Sequence, residues 1–137
     1  MKIHLSAIIG IICLVPFFAW GAEDRCASST PAIMPCFKAA CQELPSYKCD
    51  QLDEMKQILS SCQGNYGDLC LKHSFKYLSS YKYDDLTEMS ALAASCQGVK
   101  EVECIDLLCS EVGAFGCNDL EEMVNINRSC AALMTTR

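Results

Sequence analysis

Six cysteines fall into two columns with a single spacing. Cys36, Cys70 and Cys104 lie 34 residues apart, and so do Cys62, Cys96 and Cys130. Between the columns, Leu52-Asp53-Glu54-Met55 aligns with Leu86-Thr87-Glu88-Met89 and with Leu120-Glu121-Glu122-Met123. Phe37, Leu71 and Ile105 share one position, and Tyr47, Tyr81 and Phe115 another. The registers need no gaps. Such a period predicts three tandem units, each unable to bury its apolar face alone.

Each unit reads as two short helices. The first runs from Cys36 to Leu44, with Phe37, Ala40, Cys41 and Leu44 on one stripe of helical period. Pro35 suits its first turn, where a missing N–H costs nothing. The later copies carry Leu71, Phe75 and Leu78, then Ile105, Leu108, Cys109 and Val112. Pro45, Ser79-Ser80 and Gly113 break the stripe. Asp50, Asp84 and Asn118 are expected to cap the second helix, since a short side-chain oxygen can accept from the exposed N–H groups of the first turn. Leu52, Met55, Leu59 and Cys62 then form one seam toward the core. Gly64 and Gly98 end the helix in a left-handed turn. The predicted fold is all-α: three disulfide-stapled αα-hairpin repeats in a short solenoid, over 35–68, 69–102 and 103–137, the last including the C-terminal tail. The period is similar to that of tetratricopeptide repeats, but their tryptophan, tyrosine and proline signature is absent, so the likeness is one of period alone.

A second set of cysteines explains an oddity. The stretches CQELPSYKC and CSEVGAFGC begin and end with cysteine, whereas FKYLSSYKY, in the same register, begins and ends with aromatics. If Cys41 bonds Cys49 and Cys109 bonds Cys117, the middle copy has lost both halves of a disulfide, and Phe75 and Tyr83 fill the gap by ring packing. Pairing between the first and third repeats would need Cα atoms within about 7 Å across an intervening hairpin.

The remaining cysteines gather at the other end of each hairpin. One scheme pairs Cys36–Cys62, Cys70–Cys96 and Cys104–Cys130, leaving Cys26 as the odd thiol. A rival pairs Cys26–Cys36, Cys62–Cys70 and Cys96–Cys104, leaving Cys130. The first is preferred because it uses cysteines on each second helix's inward seam.

Residues 1–21 read as a signal peptide. A short n-region, MKIH, precedes the apolar run LSAIIGIICLVPFF, too short to span a bilayer comfortably, and Ala19-Trp20-Gly21 offers small residues at a cleavage site. Residues 22–34 form an N-terminal segment. Of 12 cysteines the leader carries Cys13, leaving an odd number, 11. Such a density in an exported chain reads as a disulfide framework in an oxidising periplasmic or extracellular space. Cys26 could then link two chains into a homodimer. The leader also carries Lys2, leaving 10 basic residues against 17 acidic ones. That balance argues against nucleic acid and against anionic membrane surfaces once the leader is gone.

Little chemistry is visible. Cys36, Cys41, Cys49 and Cys62 could be called a four-sulfur zinc set, but the second repeat keeps only the outer pair, and two thiolates do not close a site. His73, between Lys72 and Ser74, has no nucleophile or carboxylate tied to it by a motif. Met55, Met89 and Met123 read as core. Asn127-Arg128-Ser129 is a glycosylation sequon placed in a helix. No catalytic residue, metal or cofactor is assigned. The expectation is a non-enzymatic binding or interaction module for an unidentified protein partner. Lys38, Lys72, Lys76 with Tyr77, and the loop Asn65-Tyr66-Gly67 are its candidate contacts. A secreted inhibitor or toxin-like effector using loops 42–48, 79–82 and 110–116 is the alternative, and a lipid-handling protein a weaker one.

Overall fold

The computed structural model describes residues 32–113 and 116–134. The proposed leader, Cys26, Phe115 and the last three residues lie outside the described residues. Among the described residues six α-helices pack together: α1 (Ile33–Glu43), α2 (Leu52–Ser61), α3 (Leu69–Tyr77), α4 (Leu86–Ser95), α5 (Glu103–Val112) and α6 (Leu120–Met134). Among the described residues there is no strand, only one isolated parallel bridge between Ala32 and Tyr66. The odd-numbered helices pack in succession, α1 on α3 and α3 on α5. The even-numbered ones do likewise, α2 on α4 and α4 on α6.

The helices are short, and helices of this length are marginal in water unless packing or cross-links hold them. Sulfur ties each to its partner. Cys36–Cys62, Cys70–Cys96 and Cys104–Cys130 join the start of a first helix to the end of its second, with Cα separations of 5.8, 5.8 and 5.7 Å. Each bond therefore joins two consecutive helices, and the linkages of the rival scheme are not adopted. Five of these six half-cystines are buried in the core and Cys104 packs against it, beside Ile58, Leu71, Met89, Leu92, Ile105 and Met123, which are fully buried.

Two expectations shift in detail. The second helices are capped one residue later than the composition suggested. Asp85 Oδ1 accepts from the Thr87 N–H at 2.8 Å, and Asp119 Oδ1 from the Glu121 N–H at 3.0 Å. In the first copy Glu54 reaches back to accept from the Gln51 N–H at 3.3 Å while the Gln51 side chain accepts from the Glu54 N–H, a capping box. Asp50, Asp84 and Asn118 are exposed instead. The reason is geometric: a cap needs extended backbone, and Gln51 and Asp85 have it, with ψ of 147° and 148°.

The apolar seam also departs at both ends. Leu52 and Val112 are exposed, and Met55 and Leu59 only half-buried, so Ile58 anchors α2. In the middle, Met89 and Leu92 are fully buried because α4 has a neighbour on each side. Helix ends follow the expected glycines: Gly64 and Gly98 have φ of 78° and 80°. The Gly98 N–H donates to the Gly64 carbonyl at 3.1 Å, tying the two turns together.

Candidate functional site

The loop that follows each first helix is held shut at its base. Cys41–Cys49 and Cys109–Cys117 bring their Cα atoms to 5.7 and 5.6 Å. Where those cysteines are missing, the Phe75 and Tyr83 rings meet with centroids 4.7 Å apart and planes tilted by 36°. Tyr83 is buried, and that burial, ahead of the nearby Glu43 charge, pushes its phenol above the ordinary tyrosine range.

Inside the first two loops the same tripeptide forms a single turn of 3₁₀ helix, Ser46–Lys48 and Ser80–Lys82. The two residues after its serine point to different tasks. Lys48 Nζ reaches Asp85 at 2.9 Å, and Lys82 Nζ reaches Asp119 at 3.1 Å. Lys48 thus clasps the carboxylate that caps α4, and Lys82 the one that caps α6. The hydrogen bond with Asp85 raises the Lys48 pKa and lowers that of Asp85. Asp119 is lowered first by the Glu121 N–H and then by Lys82, whose own pKa rises in return. The tyrosines do the opposite of packing: Tyr47 is 64% exposed and Tyr81 67%. The ammonium groups lie 5.9 and 5.6 Å from those ring centroids, within the range of a weak cation–π attraction. The result is two identical, pinned turns, each presenting one aromatic ring beside a cation.

A polar cluster spans α3 and α5. Tyr77 Oη donates to Asp106 Oδ1 at 2.8 Å, and His73 Nδ1 lies 3.0 Å from Asp106 Oδ2. Lys76 Nζ lies 3.2 Å from the same ring nitrogen. Burial pushes Asp106 up, but the hydrogen bonds from Tyr77 and His73, with the His73 and Lys76 charges, outweigh it and hold the carboxyl low. Asp106 in turn raises Tyr77. Ser74, the chain neighbour of His73, is buried and donates to the Cys70 carbonyl at 3.0 Å, away from this cluster. The cluster therefore joins α3 to α5, with the Ser74 hydroxyl engaged elsewhere.

Other sequence candidates are placed as follows. Lys38 and Lys72 are exposed, and they flank a shallow groove of about 670 Å³ floored by Met34, Phe37 and Ala39. Asn65-Tyr66-Gly67 is not a free contact loop. Asn65 is buried, and its amide donates to the Ala93 carbonyl and to Cys36 Sγ, both at 3.0 Å, while Lys100 Nζ lies 4.9 Å from the Tyr66 ring centroid. Tyr77 is likewise committed to Asp106. The sequon asparagine, Asn127, is fully buried, and its amide donates to the hydroxyls of Ser74 and Ser95 at 3.0 Å each. No glycosylating enzyme can reach it in the folded chain. The cysteines of the four-sulfur set are joined to one another in two disulfides.

Sequence reasoning missed Asp85, Asp106 and Asp119 as partners. For two of them a signal existed: Lys48 and Lys82 share one 34-residue column, and Asp85 and Asp119 another. No protein-family model, curated protein or solved structure matches the chain. Among the described residues no helix is long and apolar enough to cross a membrane, and five disulfides suit an oxidising compartment.

Proposed function

We propose that this chain is an exported stack of three αα-hairpin repeats, a short solenoid, which serves as a non-enzymatic binding module. Its contact edge is the row of Ser-Tyr-Lys turns. One observation carries the reading: Tyr47 and Tyr81 occupy the same position in two identical turns, and both rings are largely exposed to solvent, each beside the cation of its own turn. Tyrosine is enriched among residues that anchor protein partners, because a rigid ring supplies contact area at low entropic cost. The surrounding structure supports that use. Each turn is fixed by a disulfide or a ring pair at its base and by a lysine–aspartate clasp at its side, so little ordering remains to be lost on binding. Export rests on the apolar leader together with the cystine framework.

Capture from the native exported fraction tests this reading. Tyr47→Ala with Tyr81→Ala should lose the protein retained by the native chain, at an unchanged melting temperature. Lys56→Ala, on an exposed stretch of α2 remote from the turns in sequence, should retain it. Equal retention by the tyrosine variant would refute the contact edge. The pinned loops also favour a secreted inhibitor as a second reading, for which inhibition of a protease panel is the corresponding assay.

A further inference from the structure

The two open ends of the stack point to each other. We infer that a second copy of this chain docks head to tail, the α5/α6 end of one copy on the α1/α2 end of the next. The inference rests on the stacked-repeat reading above, and it comes from comparing positions 34 residues apart.

Val112 is 55% exposed, whereas Leu44 and Leu78, at the equivalent positions, are 5% exposed. Leu107 is 61% exposed, whereas Ala39 is buried and His73 is engaged by Asp106 of the neighbouring helix. At the opposite end, Leu52 is 66% exposed, while Leu86 and Leu120 pack partly into the core. Met34 is 64% exposed, while Val102 is buried. Among the described residues, the apolar side chains of these columns are covered where further helices lie beyond them and bare at the two ends; the middle member of the Met34 column is the half-buried Asp68. Solenoids ordinarily close such ends with a polar outer face. This chain keeps leucine, valine and methionine there.

One opposed charge pair suits the two faces to each other. Across α3 and α5, Tyr77 meets Asp106. Shifted by one repeat, that contact becomes Glu111 of one copy against Lys38 of the next, and both are exposed. The lysine–aspartate clasp does not recur at the ends. The column of Lys48 and Lys82 continues with Gly116, where even a Cβ would come within 2.5 Å of Val112 Cγ2, and the column of Asp85 and Asp119 begins with the neutral Gln51. Docking therefore strands no clasp charge, and it lacks the clasp that holds the internal junctions, so it is reversible. Because the two faces differ, the contact is heterologous: it adds copies in line and does not close as a two-fold dimer.

Sedimentation of the chain carrying Cys26→Ser, which removes any sulfur-linked dimer, tests this. Its mean mass should rise with concentration beyond that of two chains. Leu107→Lys and Leu52→Lys, each added to that background, should stay monomeric alone, since each blocks one face at an exposed site. An equimolar mixture of the two should give dimers and nothing larger. The inference is overturned if the Cys26→Ser chain is monomeric throughout, if either blocked variant dimerises by itself, or if the mixture fails to associate. Association that appears only after removal of residues 22–31 would assign the α1/α2 face to that segment and also overturn it. Non-reducing peptide maps of the same samples keep the two readings apart. Intra-hairpin linkages in a monomeric protein would sink the docking and leave the stack standing.

Discussion

Replacing Cys41 by Phe and Cys49 by Tyr together transplants the middle loop's solution into the first. The lost disulfide spans 8 positions, and closing so short a loop is worth about 2.5 kcal/mol on the chain-entropy estimate. Against that stands a ring pair like Phe75–Tyr83, whose centroids lie 4.7 Å apart. Such a pair contributes about 0.5–1.5 kcal/mol beyond its area. An added 50–100 Å² or so of buried ring contributes about 1–2.5 kcal/mol more. The exchange should end within about 1 kcal/mol of neutral, a shift of no more than roughly 4–8 °C in a domain near this size. Cys41 and Cys49 are only half-buried, so the larger rings can extend toward solvent rather than overpack. The single change Cys41→Ser has no such offset. It loses the closure and leaves a half-buried hydroxyl beside a stranded thiol, about 3 kcal/mol in all. Thermal melts followed by circular dichroism compare the two. A double variant that melts as low as Cys41→Ser would refute the equivalence of sulfur and ring packing.

Three further outcomes follow from the same structure. Full reduction should lower the melting temperature by tens of degrees, because five disulfides worth about 2.5–3.5 kcal/mol each rival the roughly 5–15 kcal/mol net stability of a small domain; a drop of a few degrees would place the stability in the apolar core. Stability should also hold across neutral pH and fall on both sides. Asp85, Asp106 and Asp119 are held low in the fold, so the unfolded chain binds more protons and stability is lost as pH drops below about 4. Lys48, Lys82, Tyr77 and Tyr83 are held high, so their contribution is full below about 10 and is lost as pH rises through their folded values. Asp85→Asn keeps a capping side chain and should make the acid limb shallower in a pH series of melts. Finally, Asn127→Ala removes the donor shared by Ser74 and Ser95 and should cost about 1–3 kcal/mol by denaturant unfolding, with no change in mass from glycan loss.

Much of this architecture was legible because the period is ungapped. Matching columns predicted six helices, the breaks between them and the closed nine-residue loops without any contact information. What periodicity cannot show is which side of a stripe is covered. Leu52 and Leu86 are the same residue in the same register, yet Leu52 is exposed because among the described residues no helix packs on the far side of α2, and Leu86 packs on the core. Capping failed for a different reason. Asp84 and Asp85 are adjacent and chemically equal, and it is Asp85 that has the extended backbone of a cap and accepts from the Thr87 N–H. The exposed-contact reading of Asn65 failed because Asn-Tyr-Gly is turn chemistry, and in this turn Asn65 is buried and bonded to the Ala93 carbonyl. The choice between the two end pairings also lay beyond spacing, since an antiparallel hairpin and its neighbour bring the same sulfurs to one end. Asp106 had no sequence signal, because Lys38 and Lys72 hold its column elsewhere.

The claim on which the rest depends is that each hairpin is closed on itself, with sulfur at every base and rings in place of sulfur in the middle loop. Non-reducing proteolysis with mass spectrometry reads this directly. The expected peptides link Cys36 to Cys62, Cys70 to Cys96, Cys104 to Cys130, Cys41 to Cys49 and Cys109 to Cys117. Cys26 alone should then be alkylated without reduction. A peptide joining Cys62 to Cys70, Cys96 to Cys104, or Cys41 to Cys109 would contradict the account.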